Sequence, residues 1–147
     1  MVYAGQIITA NMWNRLQPVD YFAQATNLLT RTDATFADIP GATVTFTTTA
    51  ANASYKVIGV FDCAVGAVGA STRMLGRIVT DGVAESGFAI HEMDDTDRDT
   101  VTTTAKGTLA SAGSHTIKLQ GALSGALATG GTFQVFSQIL VTVTEVP

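Results

Sequence analysis

At 147 residues, with 46% of positions hydrophobic, 14% charged and a formal net charge of −4, the chain is too apolar for a disordered tail and is sized for one domain. Its eight Lys and Arg residues never cluster, which removes the electrostatic basis for a nucleic-acid groove. A small soluble domain ordinarily carries charge on about a quarter to a third of its surface positions, so the low charge predicts a surface partly covered by partners.

The opening MVYAGQIITA has neither the basic start nor the apolar stretch of about 7–15 residues that a secretion signal needs, and no run approaches the ~18 apolar residues of a membrane span. Thr9 then precedes ANMWNRL, where Met12, Trp13 and Leu16 recur at helical spacing. This predicts about two turns of helix over Ala10–Leu16, capped by Thr9 and ended near Pro18. So short a helix is marginal alone. Residues 1–22 are therefore read as an N-terminal arm that packs on its own domain or docks on another protein. For docking, Ile8, Met12, Trp13, Leu16, Tyr21 and Phe22 are the candidate residues.

From Tyr21 onward the pattern is β almost throughout. Threonine-rich runs such as TVTFTTT at 43–49 favour a pleated surface, and period-two segments are broken by Gly, Asn, Asp or Pro. Strands are expected near Ala23–Arg31, Ala42–Thr48, Ser54–Val65, Arg73–Thr80, Gly87–Met93, Thr100–Leu109, Ser114–Leu123 and Thr132–Glu145. A short extra piece is expected at Ala34–Phe36, before an Ile39-Pro40-Gly41 turn. Asp81-Gly82 reads as a hairpin turn, and Gly130-Gly131 opens the last strand. About eight such strands over residues 23–147 give an all-β fold, an antiparallel β-sandwich or jelly roll.

Two strands are apolar on both sides. In Ser54–Val65, Tyr55, Val57, Phe61, Cys63 and Val65 form the core side, while Ile58 and Val60 share the other side with Lys56 and Asp62. In Thr132–Glu145 the core side is Phe133, Val135, Ser137, Ile139, Val141 and Val143, and the other carries Phe136 and Leu140 between Gln134 and Gln138. A sandwich strand turns only one side to its own core. The second apolar side is expected to be covered by another subunit, with the N-terminal segment as the alternative cover.

Chemistry is sparse. Between 81 and 99 lie seven acidic residues against Arg98 alone, so the remainder of the chain is slightly basic. Asp95, Asp97 and Asp99 have the spacing that begins a calcium loop, but Thr100 and Lys106 stand where a glycine and a bidentate Glu are required. Glu92, Asp94, Asp95, Asp97 and Asp99 are kept as a candidate ligand loop. His91-Glu92 starts the zinc pattern HExxH, yet Asp95 replaces its second histidine. His115 alternates with Ile117 and Leu119, which makes it a packed residue, and Cys63 reads as a small buried hydrophobe. No catalytic set, metal site or cofactor is assigned. The glycine clusters at 66–71 and 121–131 lack the residues of a phosphate loop and read as turns.

Four stretches resemble a known group. AGQIITANMWNRLQP, TRTDATFADIPGATVTFTTTAANASYKVIGVFD, SAGSHTIKLQ and GGTFQVFSQILVTVTEVP are similar to segments of small virion proteins from tailed phages of actinobacteria. The layout also resembles the trimeric jelly rolls of the complement and tumour-necrosis-factor type, in which apolar residues of central strands meet at the threefold axis. That resemblance implies a homotrimer with Ile58, Val60, Phe136 and Leu140 at its interface. It further implies a non-enzymatic particle protein made in the host cytoplasm and carried on the virion surface, without nucleic-acid binding or membrane insertion. Its partners would be the major capsid protein, as a capsid decoration or head fibre, or tail proteins. The alternative is a minor tail protein or tail-fibre head that binds a host cell-surface receptor through the acidic loop. The aromatics expected outside strands, Tyr3, Trp13, Tyr21 and Phe22, all fall in the arm, which favours attachment. No heptad, collagen-like or β-helix repeat is present to build a shaft.

Overall fold

A computed structural model of the chain describes residues 9–66, 72–92, 96–125 and 130–146. Helix α1 covers Ala10–Arg15, with the Thr9 side chain accepting the Met12 N–H at 3.3 Å, as its capping position predicts. Ten strands follow: β1 Val19–Gln24, β2 Leu29–Arg31, β3 Ala37–Thr48, β4 Ala53–Val65, β5 Arg73–Thr80, β6 Val83–Glu92, β7 Asp97–Leu109, β8 Gly113–Ser124, β9 Gly131–Phe133 and β10 Gln138–Thr144. They form two antiparallel sheets packed as a jelly-roll sandwich. One runs β1-β10-β4-β7, with β9 and β2 continuing beside the far end of β4; the other runs β3-β8-β5-β6.

The expected strands recur, with three differences. The strand expected at 23–31 is two strands, and the first begins at Val19, so the structural change falls at Pro18 and not after Phe22. Tyr21 is drawn into the sheet because its ring stacks on core residue Phe46 with centroids 5.1 Å apart. The strand expected at 132–145 is broken after Phe133 by a turn whose Ser137 N–H donates to the Gln134 carbonyl. Finally, Ile39-Pro40-Gly41 is no turn between strands and 34–36 is no strand. β3 runs through the motif as a bulge between Asp38 and Thr43, and the Pro40 carbonyl there accepts the Thr26 N–H. Asp81-Gly82 does close the β5–β6 hairpin, both residues having positive φ, as a primed turn requires.

Between the sheets the core is aromatic on one side and hollow on the other. Phe61 and Phe133 meet edge to face at 6.1 Å, both fully buried. Opposite them Gly76 and Gly121 are direct cross-strand partners of β5 and β8. A Cβ on Gly76 would stand 2.5 Å from the Phe61 ring, and one on Gly121 would collide with Phe133. Flat rings cannot yield as a flexible side chain would. Gly76→Ala and Gly121→Ala are therefore expected to destabilise the fold by about 1–3 kcal/mol each, as overpacking does. Urea unfolding measures this, and unchanged midpoints would refute the ring-in-hollow arrangement.

His115 is buried, as its alternation predicts. Its Nδ1 donates to Asp81 Oδ2 at 2.6 Å, and the Thr116 N–H donates to Asp81 Oδ1 at 2.8 Å, tying the β5–β6 turn to β8. Burial pushes the Asp81 carboxyl up, but the His115 and Thr116 hydrogen bonds outweigh it and hold it below its ordinary 3.8. Asp38 and Glu145 are likewise held low against burial, by Lys118 and Gln120 and by Thr49 and Arg15. A carboxylate lowered in the native state stabilises it above the ordinary carboxylate range, and that stabilisation is lost as pH falls through the native value. The urea midpoint should accordingly fall between about pH 5 and about pH 2, with Asp81→Asn removing part of the slope; a flat profile would contradict the assignment.

Candidate functional site

The outer face of the β1-β10-β4-β7 sheet is the feature least explained by the chain's own folding. Side chains alternate along each strand, so every second cross-strand row faces outward. One such row is Phe22, Leu140, Ile58 and Thr104, each opposite the next. The row beside it is Gln24, Gln138, Val60 and Thr102. Phe22 is 60% exposed and Ile58 45% exposed, and with Val60, Gln138 and Leu140 they line a depression of about 250 Å³. Exposed apolar groups in contiguous rows, unlike scattered ones, mark a surface that is normally covered.

Of the residues expected at a subunit interface, Ile58, Val60 and Leu140 thus lie side by side. Phe136 does not sit mid-strand. It stands in the turn before β10, 61% exposed, with the Arg98 guanidinium 5.6 Å over its ring. Arg98 is held in turn by both oxygens of Asp62, at 2.9 and 2.6 Å. Asp62 is buried and its N–H donates to Ser137 Oγ. An ion pair with one buried member is costly to break from one side, so this pair fixes the turn that carries Phe136.

Phe22 belongs to this face and not to a detached arm. The signal was legible in the alternation of Asp20, Phe22 and Gln24 against Tyr21 and Ala23 after Pro18. Of the other expected docking residues, Ile8 lies outside the described residues. Tyr21 is half-buried, with its ring stacked on Phe46. Met12 and Leu16 are half-buried, whereas Trp13 is 57% exposed on α1. The helix is fastened to the end of the sandwich by Arg15, whose Nη2 donates to the Val146 carbonyl at 2.9 Å and whose Nε lies 3.4 Å from Glu145.

The acidic loop is engaged with its own neighbours. Glu92 lies 3.4 Å from Arg73, Asp97 accepts from His91 Nε2 at 3.2 Å, and Asp99 accepts the Thr100 N–H. Asp94 and Asp95 lie outside the described residues. Among the described residues no group of three ligating side chains converges on a metal position, and no helix is long and apolar enough to cross a membrane.

A second aromatic surface was hidden from sequence reading because its members sit in or beside strands. On the outer face of the other sheet, Phe36 and Phe88 have centroids 5.9 Å apart, Arg77 lies 4.0 Å over Phe36, and Ile90 is exposed beside them.

Cys63 is fully enclosed, and burial, with smaller contributions from the charges of Asp62 and Asp99, pushes its thiol up to about 12. At pH 8 only about one thiol in ten thousand would be ionised, against about a quarter for an ordinary cysteine. Iodoacetamide should leave the folded protein unlabelled over hours and label it within minutes in urea; rapid native labelling would contradict the enclosure.

No protein-family model matches the chain, and no curated protein matches it. Among solved structures, the fold is similar to the globular domain of zebrafish complement 1qA protein, with a TM-score of 0.52 and 12% identity over 87% of this chain and 97% of that one. It is similar to a chain of infectious bursal disease virus Gx strain, with a TM-score of 0.53 and 12% identity over 87% of this chain and 32% of that one. It is also similar to murine APRIL, with a TM-score of 0.50 and 10% identity over 88% of this chain and 100% of that one. At these identities the likeness is one of fold alone.

Proposed function

We propose that the chain is a non-enzymatic structural module of a phage particle, a homotrimeric jelly roll attached by its N-terminal segment to the virion surface, as a capsid decoration or head fibre. The observation that carries self-association is the outward row of Phe22, Leu140 and Ile58 with Val60 beside it. The threefold state and the location on a particle rest on the sequence resemblances. Attachment through the N-terminal segment is supported by exposed Trp13, on a helix held to the sandwich chiefly through Arg15. Three copies give three such anchors, and weak contacts made together reinforce one another through effective concentration.

Equilibrium sedimentation is expected to give three times the 15.3 kDa chain mass. Phe22→Asp and Ile58→Asp should leave folded monomers, since an unpaired carboxylate buried at an interface costs several kcal/mol, roughly. Removing residues 1–17, which ends short of β1, should preserve the trimer and abolish incorporation into particles. A monomeric parent protein would refute the assembly, and normal occupancy of the truncated chain on particles would refute the anchor.

One observation favours a second reading, a tail-fibre head or minor tail protein that binds a host surface. Phe36, Phe88 and Ile90 with Arg77 form an exposed aromatic surface of the kind that stacks on sugar rings. Under this reading, adsorption of the purified trimer to host cells is lost in Phe88→Ala; adsorption equal to the parent's excludes it.

A further inference from the structure

The charges on the same outer face are unbalanced in a way that identifies what covers it. Beside the apolar row, the next outward row is Asp20, Thr142, Lys56 and Lys106, again each opposite the next. Lys56 and Lys106 are therefore direct cross-strand partners of like charge, an arrangement that destabilises a sheet unless an anion meets it. All eight basic side chains lie among the described residues, and six have partners. Arg15 pairs with Glu145, Arg31 with Asp33, Arg73 with Glu92, Arg98 with Asp62 and Lys118 with Asp38, while Arg77 donates twice to Gln120. Only Lys56 and Lys106 have no ion pair or hydrogen bond among the described residues.

Outside the acidic stretch 81–99, one carboxylate has no cationic partner among the described residues. It is Asp20, at the opposite end of this row, where it accepts only the Thr142 hydroxyl at 2.6 Å. Strands stand about 4.8 Å apart, which puts the Asp20 backbone roughly 10 Å from that of Lys56 and roughly 14 Å from that of Lys106. The row thus carries one carboxylate at one end and two ammonium groups at the other, and none of them forms an ion pair with another among the described residues. Glu85 also lines the groove of about 660 Å³ in which the lysines stand, but its carboxylate is held by the hydroxyls of Tyr55 and Thr80 at 2.5 and 2.7 Å and makes no ion pair among the described residues. That groove shares Ile58 and Leu140 with the apolar depression, so the charged and apolar parts form one continuous surface.

We propose that this surface is covered by a second copy of the chain, with Asp20 of one protomer seated between Lys56 and Lys106 of the next. When protomers stand side by side with their strands at equal height, the acidic end of each row meets the basic end of its neighbour's. The apolar rows then close against one another at the same level, and the salt bridges fix the height at which they do so. The inference rests on the self-association proposed above and adds its contact and register.

Sedimentation of four chains in about 0.15 M salt tests it: the parent, Asp20→Lys, the Lys56→Asp/Lys106→Asp pair, and all three changes together. Each one-sided reversal is expected to raise the half-assembly concentration about tenfold or more, and the complete swap to return it to within about threefold of the parent. Asp20→Asn, which keeps the acceptor for Thr142, separates loss of charge from loss of that hydrogen bond and should weaken assembly by an intermediate factor. Circular dichroism confirms that each chain is folded. If the parent is monomeric, self-association itself fails and the contact fails with it. If the parent assembles and the reversals assemble equally well, the contact alone is overturned, and the lysine pair belongs to some other acidic partner. Failure of the complete swap to recover assembly likewise overturns it.

Discussion

Everything in this molecule is built around two phenylalanine rings held in a hollow of two glycines. Phe61 and Phe133 project from one sheet, and the backbone of the other must approach closely enough to enclose them, which the paired Gly76 and Gly121 permit. That contact sets the separation of the sheets at the centre of the sandwich. The aliphatic residues around it, Met74, Ile78, Leu119, Leu123 and Ile139, fill the space so defined and are fully buried. Interiors packed at crystal-like density transmit such a constraint, so the positions of the outward side chains follow from it as well.

The outer surfaces are set by polar contacts that pin the strand ends. Asp62, buried beneath the turn at 134–137, binds Arg98 through its side chain and Ser137 and Gln134 through its backbone. These contacts end β9, start β10 and lift Phe136 onto the rim. At the other end, Glu145 accepts from both the N–H and the hydroxyl of Thr49 and pairs with Arg15, which holds the N-terminal helix at the close of β10. A helix of six residues has too little intrinsic stability to persist by itself. Its place is therefore owed to the sandwich, while Trp13 is left facing outward.

The face of Phe22, Leu140, Ile58 and Val60 links packing to function. Burying these side chains would remove from water apolar surface worth about 25 cal/mol per Å², yet nothing among the described residues covers them. Charge is arranged around them with more economy than their exposure would require. Nearly every basic side chain is matched locally, and the unmatched ones share a row with an unmatched carboxylate. A surface with an apolar row and, beside it, a row bearing opposite charges at its two ends is suited to copies of itself. Geometry of this kind controls register and orientation more than raw affinity.

The sequence by itself determined the all-β class, the hairpin at Asp81-Gly82, the capped helix after Thr9, the enclosure of His115 and Cys63, and the double-sided apolar character of the strands bearing Ile58 and Leu140. Each of these follows from local rules: period-two alternation, primed-turn residues, capping chemistry and side-chain size. Tertiary structure alone decided that Phe22 joins Leu140 and Ile58, that Tyr21 turns inward onto Phe46, that Phe36 meets Phe88, and that Lys56 faces Lys106. Residues brought together this way are as much as 118 positions apart, as Phe22 and Leu140 are, and depend on which strands pair and in what register. Alternation tells a strand which side is inward, but the neighbour that supplies the rest of a face is chosen by the packing of the whole sandwich.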